Sequence, residues 1–279
     1  MLYLLLAIAG SVMISIVMRL SEKHIKNEMG MFMANYTTCI LLSFLFMNQG
    51  MSYPKGNAVT SIVIMGVVSG ILYLASFVFL KLNMKYNGIV MASTFMKLGV
   101  LIPTIMAIVV FKETPGWMQI IGIGIAIVAI VIIHFEKDAL QESSKKIWLI
   151  LLLVVSGFTD SMANIYEQFG DATVKDFYLC ITFLTAFVFA TLLAIGKKEK
   201  ICKYDLLFGA LMGIPNFFSS RCLLMSLGSV DAVLVYPMYS VGTVISVTLV
   251  GMLAFHETIS KKKVLALGLI VAALILLNI

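Results

Sequence analysis

The sequence predicts an all-α membrane protein with ten transmembrane helices in two inverted halves of five helices each. Three observations predict this fold class. Hydrophobic residues make up 61% of the 279 residues and charged residues only 12%, about half the charged share of ordinary soluble domains, so the chain lacks the polar surface of a water-soluble globule. The apolar residues form ten long runs, and two adjacent runs of the first half are repeated in the second.

Each apolar run is long enough to cross a hydrocarbon core, because a core about 30 Å thick needs about 20 residues of α-helix. The first run has no basic residue before it and no polar domain after it, so we interpret it as a helix rather than a cleaved signal peptide. The runs lie at residues 2–20, 30–49, 57–80, 88–110, 116–135, 147–168, 176–196, 204–226, 231–255 and 263–278.

The fourth and fifth runs return as the ninth and tenth. The stretch FKETPGWMQIIGIG, which begins at Phe111, has the variant FHETISKKKVLALG, which begins at Phe255. We therefore expect a first five-helix repeat at 1–136, a connecting cytoplasmic loop at 137–146 and a second repeat at 147–279. Because five is an odd number, the second repeat must enter the membrane in the opposite sense to the first.

The distribution of basic residues supports both the ten runs and the inversion. Loops after odd-numbered runs contain 15 Lys and Arg residues, and loops after even-numbered runs contain three. Basic loops remain in the cytoplasm, so the odd loops are predicted to be cytoplasmic and both termini to lie outside. The same loops give the chain its net positive charge, and anionic lipid headgroups are their ordinary partner; nucleic-acid binding is not indicated.

The repeated interruption is interpreted as the turn between the last two helices of each repeat. Pro115 suits the first turn of a helix, and Glu113 or Glu257 just before that helix favours the positive end of its dipole.

Two glycine pairs lie inside apolar runs. Gly122 and Gly124 lack the flanking strand and the basic residue of a phosphate-binding loop, and they are interpreted, like Gly66 and Gly70, as sites of close helix contact.

The two copies of the motif resemble the drug/metabolite transporter superfamily, in particular its ten-span EamA-type members. The residues that carry the resemblance are LIPTIMAIVVFKETPGWMQIIGIGIAIVAIVII and VISVTLVGMLAFHETISKKKVLALGLIVAALILL. The resemblance implies two inverted five-helix halves around a central cavity, lined by helices 1, 3, 4, 6, 8 and 9. It names no substrate. Small relatives that export quaternary ammonium drugs carry a Glu in their first helix, and here that run offers only Ser11 and Ser15 before Arg19.

Three ionisable residues lie deep within apolar runs, where a charge needs a partner or a wet cavity. At 1.5 Å per residue, and counted from the predicted cytoplasmic ends, Lys97 lies about 14 Å in, Asp160 about 20 Å and Arg221 about 24 Å. We expect the three to converge on a binding site. The alternatives are a salt bridge between Lys97 and Asp160 that only fixes helix packing, and an Arg221 side chain that reaches the outer interface.

Other polar residues belong to the same predicted layer. Asn164 lies one helical turn beyond Asp160 and shares its face, while Tyr236 and Tyr239 lie at about 21 and 17 Å on the same scale. The tyrosines could equally be apolar wall with satisfied hydroxyl groups. Pro103, Pro215 and Pro237 each remove a helix hydrogen bond inside a run, which indicates a kink beside a cavity or static curvature.

These residues predict a secondary transporter that moves a small polar metabolite by alternating access. Two basic residues against one acid favour a carboxylate-bearing, amino-acid-like solute, with a proton or ion as a coupling partner. The alternative substrate is an amphipathic or quaternary cation, held by Asp160 and the tyrosines.

Other classes of function are less favoured. An enzyme is disfavoured because the sequence has no Ser/His/Asp set and no HExxH motif. A non-transporting scaffold would not need charges at mid-depth. We expect no cofactor and no metal. Four cysteines lack CxxC spacing and are interpreted as packing residues: Cys39, Cys180, Cys202 and Cys222.

Overall fold

The computed structural model describes residues 1–21, 23–48, 57–87, 89–134, 146–197, 200–255 and 261–277. These residues form α-helices and one short 3-10 helix, Ala172–Val174, and within the same ranges there is no β-strand. The α-helices are α1 (Leu2–Ser21), α2 (Glu28–Asn48), α3 (Asn57–Asn87), α4 (Ile89–Leu98), α5 (Leu101–Val109), α6 (Trp117–His134), α7 (Lys146–Phe169), α8 (Lys175–Lys197), α9 (Lys203–Leu227), α10 (Ala232–Phe255) and α11 (Lys261–Leu277).

Each of the ten apolar runs corresponds to helix, with α4 and α5 together in the fourth run and α3 continuing past the end of its run at residue 80. Among the described residues, seven helices are long and apolar enough to cross a membrane, namely α1, α2, α3, α7, α8, α9 and α10; Phe95–Val109 and Trp117–Ile132 are shorter apolar segments. Helices suit this environment because each satisfies its own backbone hydrogen bonds where water is absent. The prediction of an all-α, multi-pass membrane protein is confirmed.

The fourth run is interrupted, where the sequence predicted a single kinked helix. α4 ends at Leu98, Gly99 and Val100 form a turn, and α5 begins at Leu101. Pro103 has no N–H to donate to the carbonyl of Gly99, and its ring would clash with that carbonyl in a regular helix. The Ile102 N–H bonds to the Gly99 carbonyl instead, at 3.0 Å. By contrast, α9 and α10 continue through Pro215 and Pro237.

The chain divides into two compact units, and each unit combines helices from both halves of the sequence. Unit 1 comprises residues 1–74 and 162–228, and unit 2 comprises 75–161 and 229–279. The sequence repeats at 1–136 and 147–279, with their connecting loop at 137–146, are a different division and stay a prediction. Residues 137–145 of that loop lie outside the described ranges.

Unit 1 is held together by close helix contacts at small residues. α1 and α2 pack against α9, and α2 also packs against α8. A Cβ on Gly10 of α1 would lie 2.9 Å from the Pro215 carbonyl oxygen, and a Cβ on Gly66 of α3 would lie 2.7 Å from Ile181. A Cβ on Gly70 would lie 2.5 Å from the Thr182 carbonyl oxygen. The prediction that Gly66 and Gly70 permit close contact is confirmed.

Unit 2 contains α6 packed on α11, and α10 packed on α5, α6 and α11. A Cβ on Gly122 would lie 3.1 Å from the Leu276 Cβ atom, so this glycine permits the contact between α6 and α11. A Cβ on Gly124 would have nothing within 4 Å. The prediction of close contact is therefore confirmed for Gly122 and wrong for Gly124, which lies two residues on and so points to a different side of the helix.

Candidate functional site

Asp160 lies on the side of α7 that is turned away from the exposed apolar stripe. That stripe spans an arc of about 100° on the helix, and Asp160 lies about 140° from its centre. The side chain is nevertheless exposed, although many protein atoms surround it. We interpret exposure among many protein atoms as that of a group in a recess. The stripe consists of Ile147, Ile150, Leu151 and Phe158.

Lys97 lies in the last turn of α4, two residues before the break in the fourth run. A cation at this position is favourable, because the carbonyl groups at a helix C-terminus carry partial negative charge. The side chain is half-buried and interacts electrostatically with Asp160. Both residues belong to unit 2, so the structure brings together two of the three charges that the sequence singled out.

The relative positions of Lys97 and Asp160 are fixed by a backbone contact between Gly99 and Gly157. A Cβ on Gly157 would lie 2.6 Å from the Gly99 carbonyl oxygen, and a Cβ on Gly99 would lie 2.5 Å from the Ser156 Oγ. Ser156 Oγ also donates to the Met96 carbonyl oxygen at 3.4 Å. Only glycines allow the helix break to rest directly on α7, less than one turn from Asp160.

Tyr236 connects α10 to the same point of α7. Its hydroxyl group donates a hydrogen bond of 2.7 Å to the backbone carbonyl oxygen of Asp160, and its side chain is buried. This bond favours the interpretation of a satisfied structural hydroxyl for Tyr236. Tyr239, nearly one turn further along α10, is half-buried. Its contact with a substrate stays a prediction.

Glu113 of the repeated motif caps α10, whereas the sequence predicted that it would favour the helix that follows it, α6. Its two carboxylate oxygens accept hydrogen bonds from the backbone N–H groups of Ala232, at 3.2 Å, and Val233, at 2.7 Å. Lys112 adopts a φ of 60°, so the chain turns sharply just before Glu113. Glu257, its counterpart in the repeat, lies outside the described residues.

Arg221 lies in unit 1 and already has a carboxylate partner. Its Nε and Nη2 atoms donate to Asp176 at 2.7 and 3.0 Å, and its guanidinium group lies 4.7 Å from the centre of the Phe46 ring. The sequence analysis assigned Arg221 to a substrate carboxylate and overlooked Asp176. An acid in the first turn of α8, at the same predicted outer level as Arg221, was the signal that could have identified the pair.

Asn164 belongs to the buried face of α7, in unit 1. Its Nδ2 atom is buried and has no hydrogen-bond partner among the residues that the structure describes. A buried donor without a partner carries a free-energy cost, which a bound water or ligand would remove. Asn164 is therefore a candidate donor to a bound water or ligand within unit 1.

The sequence analysis also overlooked a polar cluster in unit 1. Tyr73 donates to the Asn216 Oδ1 at 3.2 Å, and the Asn216 Nδ2 donates to the Asn35 Oδ1 at 3.1 Å. The hydroxyl group of Tyr36 is buried beside them with no partner in the described part of the chain. These residues come from three helices, and scattered neutral polar residues give no recognisable sequence signal.

Cysteines and metal ligands add no further site in the described ranges. All four cysteines are free thiols, and Cys39 donates to the Gly213 carbonyl oxygen at 3.3 Å. No group of three or more His, Cys, Asp and Glu side chains that could hold a metal ion occurs among the described residues.

Comparisons with known proteins agree with the resemblance found in the sequence. Residues 1–135 match the model of the EamA-like transporter family. An uncharacterized protein of Haemophilus influenzae is 22% identical over 267 residues, which cover 92% of this chain and 91% of that protein. A solved crystal structure, described only as that of a protein, superimposes with a TM-score of 0.79 at 12% identity, covering 99% of this chain and 98% of that one; this likeness concerns the fold alone. The match over residues 1–135, just under half of the chain, makes this part of the protein similar to the EamA-like transporter family.

Proposed function

We propose that the protein is a secondary active transporter that moves a small zwitterionic or carboxylate-bearing metabolite across the cytoplasmic membrane. The observation that carries this proposal is the electrostatic interaction between Lys97 and Asp160 in unit 2, on the side of α7 away from the exposed apolar stripe. Charged residues within a membrane are costly and usually serve a substrate, an ion or one another. The similarity of residues 1–135 to a transporter family favours the first of these roles, the binding of a substrate.

The proposed chemistry assigns one group of the substrate to each charge. Lys97 holds the carboxylate of the substrate, and Asp160 holds its ammonium group or a coupling proton. Tyr239, which also belongs to unit 2, forms part of the wall of the same site. Arg221 is left out of this set because Asp176 takes two of its N–H groups. One cation facing one anion favours a zwitterion over a simple anion.

The break between α4 and α5 supports a binding site at this level. Discontinuous helices in transporters expose backbone groups beside the substrate, and such breaks are tolerated where they line a cavity. Lys97 lies two residues before the break, and Gly157 holds the break against α7. We place the substrate between the end of α4 and the recess that contains Asp160.

The proposed mechanism is alternating access by two inverted five-helix repeats, at 1–136 and 147–279. The odd number of helices per repeat and the distribution of basic loops support the inversion, and the basic loops also favour an outside location for both termini. The gradient of an ion or of a second substrate drives transport.

A second candidate substrate is an organic cation. The specific observation in its favour is that Asp160 is exposed whereas Lys97 is half-buried, so the carboxylate is the more accessible of the two groups. In this version Asp160 binds the cation directly, and Lys97 adjusts the strength of that binding.

Uptake into proteoliposomes, measured across a panel of amino acids, organic anions and quaternary amines, tests both versions. Lys97→Met and Asp160→Asn are compared with the parent and with two controls on exposed residues, Lys112→Met and Asp231→Asn. For a zwitterion, we expect both site variants to abolish uptake and both controls to retain it. For a cation, only Asp160→Asn abolishes it. Parental rates in both site variants would contradict the proposed site.

A further inference from the structure

The loop between α1 and α2 is fastened to the start of α9 by one buried carboxylate. Asp205 Oδ1 accepts hydrogen bonds from the backbone N–H groups of Lys26, at 2.9 Å, and Asn27, at 3.3 Å. Its Oδ2 accepts from the N–H group of Cys202 at 2.7 Å. Asp205 thus joins two segments that lie almost 180 residues apart, and all of these residues belong to unit 1.

Two further contacts hold the same segments together. A Cβ on Gly30 in α2 would lie 2.9 Å from the Ile201 Cγ2, so the segment before α9 rests directly on the backbone of α2. The His24 ring lies with its centre 5.7 Å from that of Tyr204 and 5.6 Å from that of Phe208. We call this region, comprising residues 23–30 and 200–208, the Asp205 clamp.

The Asp205 clamp gathers exposed basic side chains from two separate loops. Lys23 and Lys26 come from the first loop and Lys200 and Lys203 from the second, and all four are exposed. The carboxylate of Asp205 is buried and bonded to backbone groups, while Glu28 is the exposed acid of the clamp. Glu22 and Glu199 lie outside the described residues. The described side chains of the clamp therefore carry a net positive charge.

The position of the Asp205 clamp along the membrane spans determines which binding partners are near its positive charge. α1, α2 and α9 are candidate membrane spans, and the clamp lies where α1 ends and where α2 and α9 begin. The ends of membrane spans lie at the level of the lipid headgroups, where exposed His24 and Tyr204 also suit the interface. Clusters of basic residues at this level attract anionic phospholipids.

We propose that the Asp205 clamp is a binding site for the phosphate group of an anionic phospholipid such as phosphatidylglycerol. Lysines from both loops contact the phosphodiester, and Asp205 acts as a positioning residue that holds the loops together. The site does not include Lys97 or Asp160, so the test of lipid binding is independent of the test of the proposed transport function. Because it depends on loop geometry, it differs from the general attraction of basic loops to a membrane.

Native mass spectrometry of the full chain in detergent, with phosphatidylglycerol and phosphatidylcholine of the same acyl chains, measures the binding. We expect the parent to retain phosphatidylglycerol in preference. The triple variant Lys23→Gln/Lys26→Gln/Lys200→Gln should bind it about 100-fold more weakly, since each basic residue contributes about fivefold. The matched control, Lys261→Gln/Lys262→Gln/Lys263→Gln, removes three charges from the start of α11, which is also predicted to lie on the cytoplasmic side.

Equal losses in the triple variant and its control would overturn the proposal, because they would show general attraction only. Competition by millimolar inorganic phosphate would overturn the lipid as the ligand and assign the site to free phosphate.

Asp205→Asn gives the sharpest contrast. It removes a negative charge, so general attraction predicts tighter lipid binding, whereas loss of the clamp predicts weaker binding. Tighter or unchanged binding would refute the role of Asp205.

Discussion

Replacing Glu113 with alanine removes two hydrogen bonds that its carboxylate accepts from the first turn of α10. The N–H groups of Ala232 and Val233 lose acceptors at 3.2 and 2.7 Å, and α10 has no carbonyl group four residues earlier that could replace them. The loss also removes a negative charge from the positive end of the helix dipole. Glu113 lies 119 and 120 residues before the two N–H groups that it caps. Loss of the cap therefore also loosens the contact between the turn at 111–116 and α10.

The expected cost follows from the two bonds. Loss of a helix cap costs about 0.5–2 kcal/mol, and a hydrogen bond to a charged group contributes about 1.5–3 kcal/mol when it is well buried. Glu113 is half-buried, so we expect about 1–2 kcal/mol for Glu113→Ala. For a chain of this size, each kcal/mol lowers the melting temperature by about 2–4 °C. Glu113→Gln keeps one acceptor oxygen and should lose about half as much.

Thermal unfolding in detergent and hydrogen exchange of the backbone amides together test the cap. Glu113→Ala should unfold at a lower temperature, and the amides of Ala232 and Val233 should exchange faster. Asp231→Ala is the matched control. Asp231 immediately precedes α10, and its backbone carbonyl accepts from Leu234 and Val235, but its side chain makes none of the described capping bonds. An equal effect of the two variants on stability and exchange would refute this account of Glu113.

Three further predictions concern packing, hydroxyl groups and the ion pair. Gly157→Ala should lower the melting temperature by several degrees, since the new Cβ would lie 2.6 Å from a carbonyl oxygen. Gly124→Ala adds a Cβ with nothing within 4 Å and should leave the melting temperature unchanged or raise it slightly, because alanine has the higher helix propensity. Tyr236→Phe should cost about 1 kcal/mol in unfolding measurements, whereas Tyr36→Phe should be neutral or stabilising, because its hydroxyl group has no described partner. Arg221→Met should cost about 3–5 kcal/mol by leaving Asp176 unpaired, and the double variant with Asp176→Leu should recover most of that loss; no recovery would contradict the pairing.

Much of the fold could be predicted because the thickness of a bilayer fixes the length of a helix. The run at 204–226 is α9, Lys203–Leu227, to within one residue at each end. The run at 57–80 falls short of α3, which continues to Asn87. Hydropathy detects where a helix leaves the hydrocarbon, whereas α3 continues beyond it. The Asn83 Nδ2 donates there to the Trp148 carbonyl oxygen at 2.8 Å, and Asn87 donates to Asn83.

The partners within the candidate site could not be predicted in the same way. The depth estimate placed Lys97 and Asp160 at neighbouring levels, and they do interact. The same estimate placed Arg221 close to them, yet that residue pairs with Asp176 of α8 in unit 1. Depth gives one coordinate and says nothing of the direction of a side chain around its helix. Glu113 was assigned to α6, the helix that follows it, for a different reason. Its contact with α10 joins residues far apart in the sequence, and the sequence does not reveal such contacts.

The central claim is that Asp160 projects into a water-filled recess and not into lipid. In a variant with the four cysteines replaced by serine, Asp160→Cys and Phe158→Cys can each be treated with a membrane-impermeant cationic thiol reagent. Phe158 lies two residues away on the exposed apolar stripe of α7. The account predicts rapid labelling at 160, slowed by a transported solute, and no labelling at 158. Labelling at neither position, or at 158 alone, would contradict it.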